Sequence, residues 1–321
     1  MRAQHLRWVA LLIIGGALVV IGWIYLRDMR ALHVRLQVEA STIETAFGPL
    51  AYTTAGLGAP VLAIHGAGGG FDQGRLLAEA FLPDGSRWIA PSRFGYPGSS
   101  LPNEPSTAAQ ADAFAELLDA LAIERVTLLA MSGGVPPALQ FALRHPERTQ
   151  ALILLSLAPY APLTAKEQDL PVPIWIYDAL FSIDLPLWVL LHLSPRALAP
   201  MFDARADLAP QMTAAEAAFL DAMIAAFQPV TQRRAGLANE GAAIDSGSPI
   251  DPATISAPVL IIHASDDRLT PVATAHFTAA AIPGAETLYL DTGGHLLLGH
   301  HAKLRTRIAD FLANHVRGEA Q

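Results

Sequence analysis

Hydrophobic and polar positions follow three different rhythms along this chain. From Trp8 to Leu26 the sequence WVALLIIGGALVVIGWIYL runs for nineteen residues without a charge. At ~1.5 Å rise per residue such a helix would be ~28 Å long, enough to cross a bilayer. Residues 34 to 54 then alternate apolar and polar around Gly48-Pro49, the period of an antiparallel hairpin. Beyond them, short apolar runs at Val61 to His65, Trp88 to Ala90, Val126 to Ala130, Ala151 to Leu155, Val259 to His263 and Thr287 to Leu290 predict buried strands. Helical patterns such as Ser106 to Leu121 and Pro136 to Arg144 lie between several of them. Strands alternating with amphipathic helices predict an α/β fold, a mostly parallel sheet with helices on both faces.

The alternation stops between about Pro159 and Pro258, where proline-rich helical segments replace strands, as in a second small domain or an inserted lid that shields a reaction from water. The expected organisation is therefore an anchor over 1–33, a core over 34–158 and 258–321, and a helical lid over 159–257. Within the lid, Pro171 to Leu193 is intensely apolar but is broken by Asp178, Asp184 and prolines, which argues against a second membrane span. The first run has arginines at both ends, and Trp8, Trp23 and Tyr25 stand where amphipathic rings favour a membrane interface. Its close in Trp-Ile-Tyr-Leu-Arg-Asp lacks the small residues of a signal-peptide cleavage site. Arg2 and Arg7 on one side are balanced by Arg27, Arg30 and Arg35 on the other, so charge does not set the orientation.

Composition narrows the chemistry. With no cysteine among 321 residues, disulfides, thiolate metal sites and a cysteine nucleophile are all excluded. The net charge of -8 becomes more negative still once the five arginines and single aspartate of residues 1 to 35 are set aside. Such a body repels phosphate backbones, so nucleic acid is not an expected partner.

Three segments carry candidate chemistry. Ser132 lies in Ala130-Met131-Ser132-Gly133-Gly134, between a strand pattern and a helix pattern. A serine exposed on a sharp strand-to-helix turn needs such small neighbours, and the helix that follows directs N–H groups towards a developing oxyanion. His65-Gly66-Ala67-Gly68-Gly69-Gly70 leaves another strand through glycines that let the backbone turn and offer an N–H. It has neither the G-x-G-x-x-G spacing of a dinucleotide loop nor the Gly-Lys-Ser/Thr of a P-loop. Lastly, Asp266-Asp267 follows the penultimate strand run and His295 the last. Serine, acid, histidine is the chain order of one hydrolase fold and of neither common protease order.

With these segments in place, and with Ser92-Arg93-Phe94-Gly95-Tyr96-Pro97-Gly98-Ser99-Ser100, HASDDRLTP at 263–271 and GGH at 293–295, the chain resembles the α/β-hydrolase superfamily over roughly residues 36 to 316. The resemblance implies a catalytic triad of Ser132, Asp267 and His295. Asp267 is preferred to Asp266 because the family's acid commonly stands four residues before the proline. It further implies oxyanion-hole donors at Ala67 and Gly133 and acyl transfer in two steps, with no cofactor and no metal. Ala130 departs from the usual first glycine of the elbow and adds a methyl the turn has to accommodate. The lack of HGGPG argues against the proline-iminopeptidase branch, and a serine nucleophile against the dehalogenase and epoxide hydrolase branches. His65 is expected to be structural, and His300 and His301 to open a helix. The anticipated substrate is a carboxylic ester with an apolar, lipid-like acyl group met at the membrane. C–C bond hydrolysis, acyl transfer, cofactor-free perhydrolysis and a tethered, non-catalytic binding protein are the alternatives.

Overall fold

The computed structural model describes residues 2–160, 181–240 and 249–316. Eight strands form one sheet in the order β1-β2-β4-β3-β5-β6-β7-β8. They are β1 (Ser41–Thr45), β2 (Gly48–Ala55), β3 (Pro60–Ile64), β4 (Arg87–Pro91), β5 (Val126–Met131), β6 (Thr149–Leu155), β7 (Val259–Ala264) and β8 (Glu286–Leu290). The β1–β2 hairpin and the β2–β4 pairing are antiparallel, and every pairing from β4 through β3 to β8 is parallel.

Residues on alternate sides of these strands feed two cores. Ala63, Met131, Ile153 and Ile262 pack with α2 (Phe71–Phe81) and the closing helix His301–His315. Leu62, Leu128, Leu152 and Ile261 pack with α3 (Thr107–Ala120) and α4 (Val135–Arg144). Ser106 caps α3, its side chain accepting from the Ala109 N–H. Ala130 pairs with Ile64 and Leu154, and its methyl is fully buried in the second core. The elbow is thereby entered from strand interior.

Register aligns the strand ends. Ile64 lies beside Ala130, Met131 beside Leu155, Leu155 beside Ile262, and Ala264 beside Leu290. The loops that follow β3, β5, β7 and β8 therefore leave from one edge, the carboxyl end where parallel sheets place their sites. Between β6 and β7 the described residues are helical, with Asp184–Leu193 and Ala214–Ala226 as the longest segments. Of the apolar stretch Pro171 to Leu193, residues 171–180 lie outside the described residues.

One expectation needs correction. The first helix, α1, runs from Arg2 to Glu39, and the hairpin starts only at Ser41. Residues 34 to 39 are helical although Val34, Leu36 and Val38 alternate with polar residues. Tertiary contacts decide the matter: Met29 and Leu36, seven positions apart on one helix face, are buried, and Leu36 clusters with Ala51 and Phe71. Arg35 pairs with Asp72 of α2 at 3.2 Å and with Glu39 one turn on at 3.7 Å. By contrast, no residue in the most apolar window of α1 is buried. The helix has the length and apolarity to cross a membrane.

Candidate active site

Ser132 is the first residue after β5 and has φ of 52°, a left-handed conformation costly for any side chain but glycine's. The turn Ser132–Gly134 leads straight into α4. What holds the serine there is the absence of a Cβ around it. A methyl at Gly134 would stand 2.6 Å from the Ile64 carbonyl oxygen, and one at Gly66 would stand 3.1 Å from Ser132 Cβ.

The loop after β3 is fixed with equal care. His65 Nε2 accepts the Arg93 backbone N–H at 2.9 Å, so the ring proton is on Nδ1 and is donated to the Gly66 carbonyl at 2.7 Å. Burial, and after it the Arg93 and Arg233 charges, keep His65 well below the usual histidine range and thus neutral. The Gly68 N–H donates to the Tyr96 hydroxyl at 3.0 Å. Gly68 has φ of 72°, and a Cβ there would sit 2.2 Å from the Phe227 ring. A Cβ on Gly133 would be 2.5 Å from Glu240 Oε2 and 3.3 Å from Ala67 N, so the two loops approach closely. Gly133, however, lines a neighbouring hollow with Arg93, Tyr96 and Glu240 and is not among the residues that line the cavity shared by Ala67 and Ser132. Among the described residues, the Ala67 N–H has no acceptor.

Asp267 and His295 come together across the ends of β7 and β8. His295 Nδ1 lies 2.8 Å from Asp267 Oδ2. A carboxylate only accepts, so Nδ1 carries a proton, and in the neutral ring Nε2 keeps the lone pair. Three further donors fix the carboxylate: Leu269 N–H (2.9 Å) and Thr270 N–H (3.0 Å) on Oδ1, and the Thr270 hydroxyl (2.8 Å) on Oδ2. Burial opposes its ionisation, but the His295 charge and hydrogen bond, the Thr270 N–H and His263 outweigh that and lower it from 3.8 to about 2. The Asp266 carboxylate faces elsewhere, towards Arg205 and the Gly294 N–H at 2.9 Å. Ser156 at the end of β6 steadies the histidine loop by donating to the His295 carbonyl at 2.7 Å.

Ser132, Ala67, Asp267 and His295 all line one cavity of about 480 Å³. Its other walls include Leu77, Met131, Met201, Phe202, Met223 and Phe227. Among the described residues, Ser132 Oγ and the His295 ring share this space without a hydrogen bond between them, and such contacts often close only around substrate. No group of three or more His, Asp or Glu among the described residues has metal-binding geometry.

Several supporting residues have no role in the sequence-based expectations, although some stand in the segments that carry them. His263 Nδ1 accepts the Leu157 N–H (3.2 Å), so its Nε2–H points at the Thr270 carbonyl (3.1 Å) and Asp267 Oδ2 (3.5 Å). Arg233, fully buried, pairs with Asp72 at 2.8 Å and donates to the Gly69 and Phe227 carbonyls, which ties the helical insertion to the glycine loop. Glu240 binds Arg93 and the Tyr96 hydroxyl beside Gly133. Burial and the Glu240 charge push the Tyr96 phenol well above its usual range, so it remains a neutral donor. Arg93 and Tyr96 stand in the quoted segment after β4, whereas Glu240, 147 positions from Arg93, has nothing near it in sequence to mark it.

Comparison with known proteins agrees with this architecture. An uncharacterized hydrolase of Bacillus subtilis, YcgS, is 29% identical over 84% of this chain and 95% of its own length. The 2-hydroxymuconate semialdehyde hydrolase of a Pseudomonas species is 30% identical over 80% of this chain and 88% of its own. Among solved structures, an alpha/beta hydrolase fold protein from Nakamurella multipartita superposes with a TM-score of 0.69 at 26% identity, covering 85% of this chain and 98% of that one. Residues 59–302 match the alpha/beta hydrolase fold family, and this chain belongs to it.

Proposed function

We propose that this protein is a membrane-anchored serine hydrolase that cleaves carboxylic esters of apolar acyl groups through an acyl-enzyme on Ser132. The observation that carries the reading is the gathering of a strained-turn serine, an unpaired backbone N–H and an Asp267-oriented imidazole around one apolar-walled cavity. Ser132 Oγ attacks the ester carbonyl while His295 Nε2 takes its proton. The carbonyl oxygen becomes an oxyanion received by the Ala67 and Gly133 N–H groups, each worth ~3 kcal/mol in comparable sites. The C–O bond then breaks, and the alcohol departs with the proton held by His295. Water adds to the acyl-enzyme by the same relay and releases the acid. The insertion between β6 and β7 acts as the lid, with Phe202, Met223 and Phe227 of its described residues forming apolar wall.

C–C bond hydrolysis is the second reading, favoured by the likeness to the 2-hydroxymuconate semialdehyde hydrolase. A muconate carries carboxylate, for which Arg268 is the one Arg or Lys among the described cavity-lining residues, against a wall of Leu77, Met131, Met201, Phe202, Met223 and Phe227. That balance favours an apolar ester. As for the anchor, none of the nineteen uncharged residues of α1 is buried, and the run ends without a cleavage motif.

A fluorophosphonate probe together with p-nitrophenyl esters of rising chain length tests the assignment. The expected result is labelling that Ser132→Ala abolishes, with kcat/KM rising with acyl length. A folded protein that never labels would indicate a binding protein. Labelling combined with turnover of 2-hydroxymuconate semialdehyde but no ester would indicate C–C hydrolysis.

A further inference from the structure

We propose that the helix Asp184–Leu193 is a second membrane contact, lying in the lipid interface beside the point where α1 leaves the bilayer. The inference rests on α1 being the anchor.

Two independent observations meet here. The first is the outer face of this helix. Ile183, Leu185, Pro186, Val189, Leu190 and Leu193 are exposed, Leu193 by 81%. The outward face of a helix in water is ordinarily polar. This one carries no Asp, Glu, Lys or Arg, and apolar patches of that kind mark contact surfaces. Its inner side is firmly seated: Asp184 accepts the Thr231 N–H (3.1 Å) and hydroxyl (2.7 Å), while Leu187 and Trp188 are buried. The exposed face is thus held in place by the fold.

The second observation fixes its level along α1. The Trp188 ring meets the Tyr25 ring edge-on with centroids 5.4 Å apart, and the Trp188 indole N–H donates to Asp28 at 3.1 Å. His192, the one ionisable group on the exposed side of the helix, also turns to Asp28, at 3.4 Å. Tyr25 and Asp28 flank Leu26, the last residue of the uncharged run. Trp23, Tyr25 and Arg27, whose guanidinium stacks on Trp23 at 5.6 Å, form the aromatic and cationic belt of a membrane boundary, and the buried Trp188 docks the helix against it. The Asp184–Leu193 helix, ~15 Å long, is therefore stationed where an amphipathic helix beds into headgroups. The lipid interface is the occupant to which continuity with α1 commits the face.

The contact also reaches the reaction site. Phe181, just before the helix, touches the Phe227 ring at 5.8 Å, and Phe227 is cavity wall. An apolar substrate held in lipid would thus meet the lid side of the cavity first.

Because the chain has no cysteine, single cysteines at Ile14, Leu57, Leu190 and Leu193 can each carry an environment-sensitive fluorophore. The full chain would be placed in phosphatidylcholine/phosphatidylglycerol vesicles doped with lipids bearing a nitroxide either near the headgroup or deep in the acyl chain. The expected result is deep quenching at Ile14 and several-fold stronger shallow quenching at Leu190 and Leu193 than at Leu57. Quenching at Ile14, with Leu190 and Leu193 no different from Leu57, overturns the second contact and leaves the anchor standing. No quenching at Ile14 overturns both. Blue-shifted but unquenched probes at Leu190 and Leu193 would mean that a second copy covers the face, and would also overturn the proposal. The readout is optical, so it does not depend on whether Ser132 hydrolyses an ester.

Discussion

The two halves of the cavity rim are built from different materials. On the side of Ser132, position is imposed by main chain: a left-handed φ, a turn entering α4, and glycines whose missing Cβ atoms let Ile64, His65 and Phe227 close in. On the side of Asp267 and His295, position is imposed by hydrogen bonds to side chains, with two main-chain and two side-chain donors converging on one carboxylate and a serine hydroxyl gripping the histidine loop. Backbone construction is brittle, because one added methyl collides with a carbonyl oxygen that cannot turn aside. Side-chain construction is redundant, since the remaining donors still hold when one is lost.

The contrast is open to attack in order of effect. Asp267→Asn should cost turnover about 10⁴-fold with little change in fold, because an amide no longer enforces the Nδ1–H tautomer of His295. Activity assays beside circular dichroism check this, and a loss under tenfold would mean that another group orients the ring. Gly134→Ala should lower kcat by about 10²- to 10³-fold, the scale of one displaced oxyanion donor, since its Cβ would press on Ile64 oxygen. Near-normal activity would show that the turn yields, and the claim of brittleness would fall.

Acid stability probes the side-chain half. The Asp267 carboxyl is lowered from 3.8 to about 2 in the fold. Its ionised form therefore contributes stability in full above about pH 4, and the contribution is lost as pH falls towards 2, amounting to about 2 kcal/mol. Urea unfolding between pH 5 and pH 2 should show this slope in the native chain and lack it in Asp267→Asn. Thr270→Val is expected to have the mildest effect, removing one of the four donors for about 1 kcal/mol of stability and less than tenfold in kcat. A Thr270→Val loss as large as that of Gly134→Ala would erase the distinction between the halves.

What could be read from the chain follows the same divide. The strands, α3, α4 and the segments around Ser132, Asp267 and His295 are legible because local patterns specify them: apolar runs, a capping serine, small residues flanking a turn. The glycine loop is legible too, since its conformation demands glycine. The Arg233–Asp72 pair, 161 positions apart, and Glu240 against Arg93 are hidden, because contacts between distant segments impose no spacing. Residues 34 to 39 mislead for a related reason. Their local period of two is real, but burying Leu36 against Ala51 and Phe71 while pairing Arg35 with Asp72 is stabilising enough to keep them helical.

The uninterrupted course of α1 has a mechanical consequence. With no loop between its apolar half and the stretch clasped through Arg35–Asp72 and Asp28–Trp188, the globular body rides on a mast and not on a leash. In the proposed anchored state it could not swivel independently of the lipid around the apolar half. The stand-off of the cavity from that medium is then metered by helical rise, ~1.5 Å for each residue, and inserting or deleting one residue near Arg30 would also turn the whole head by about 100°.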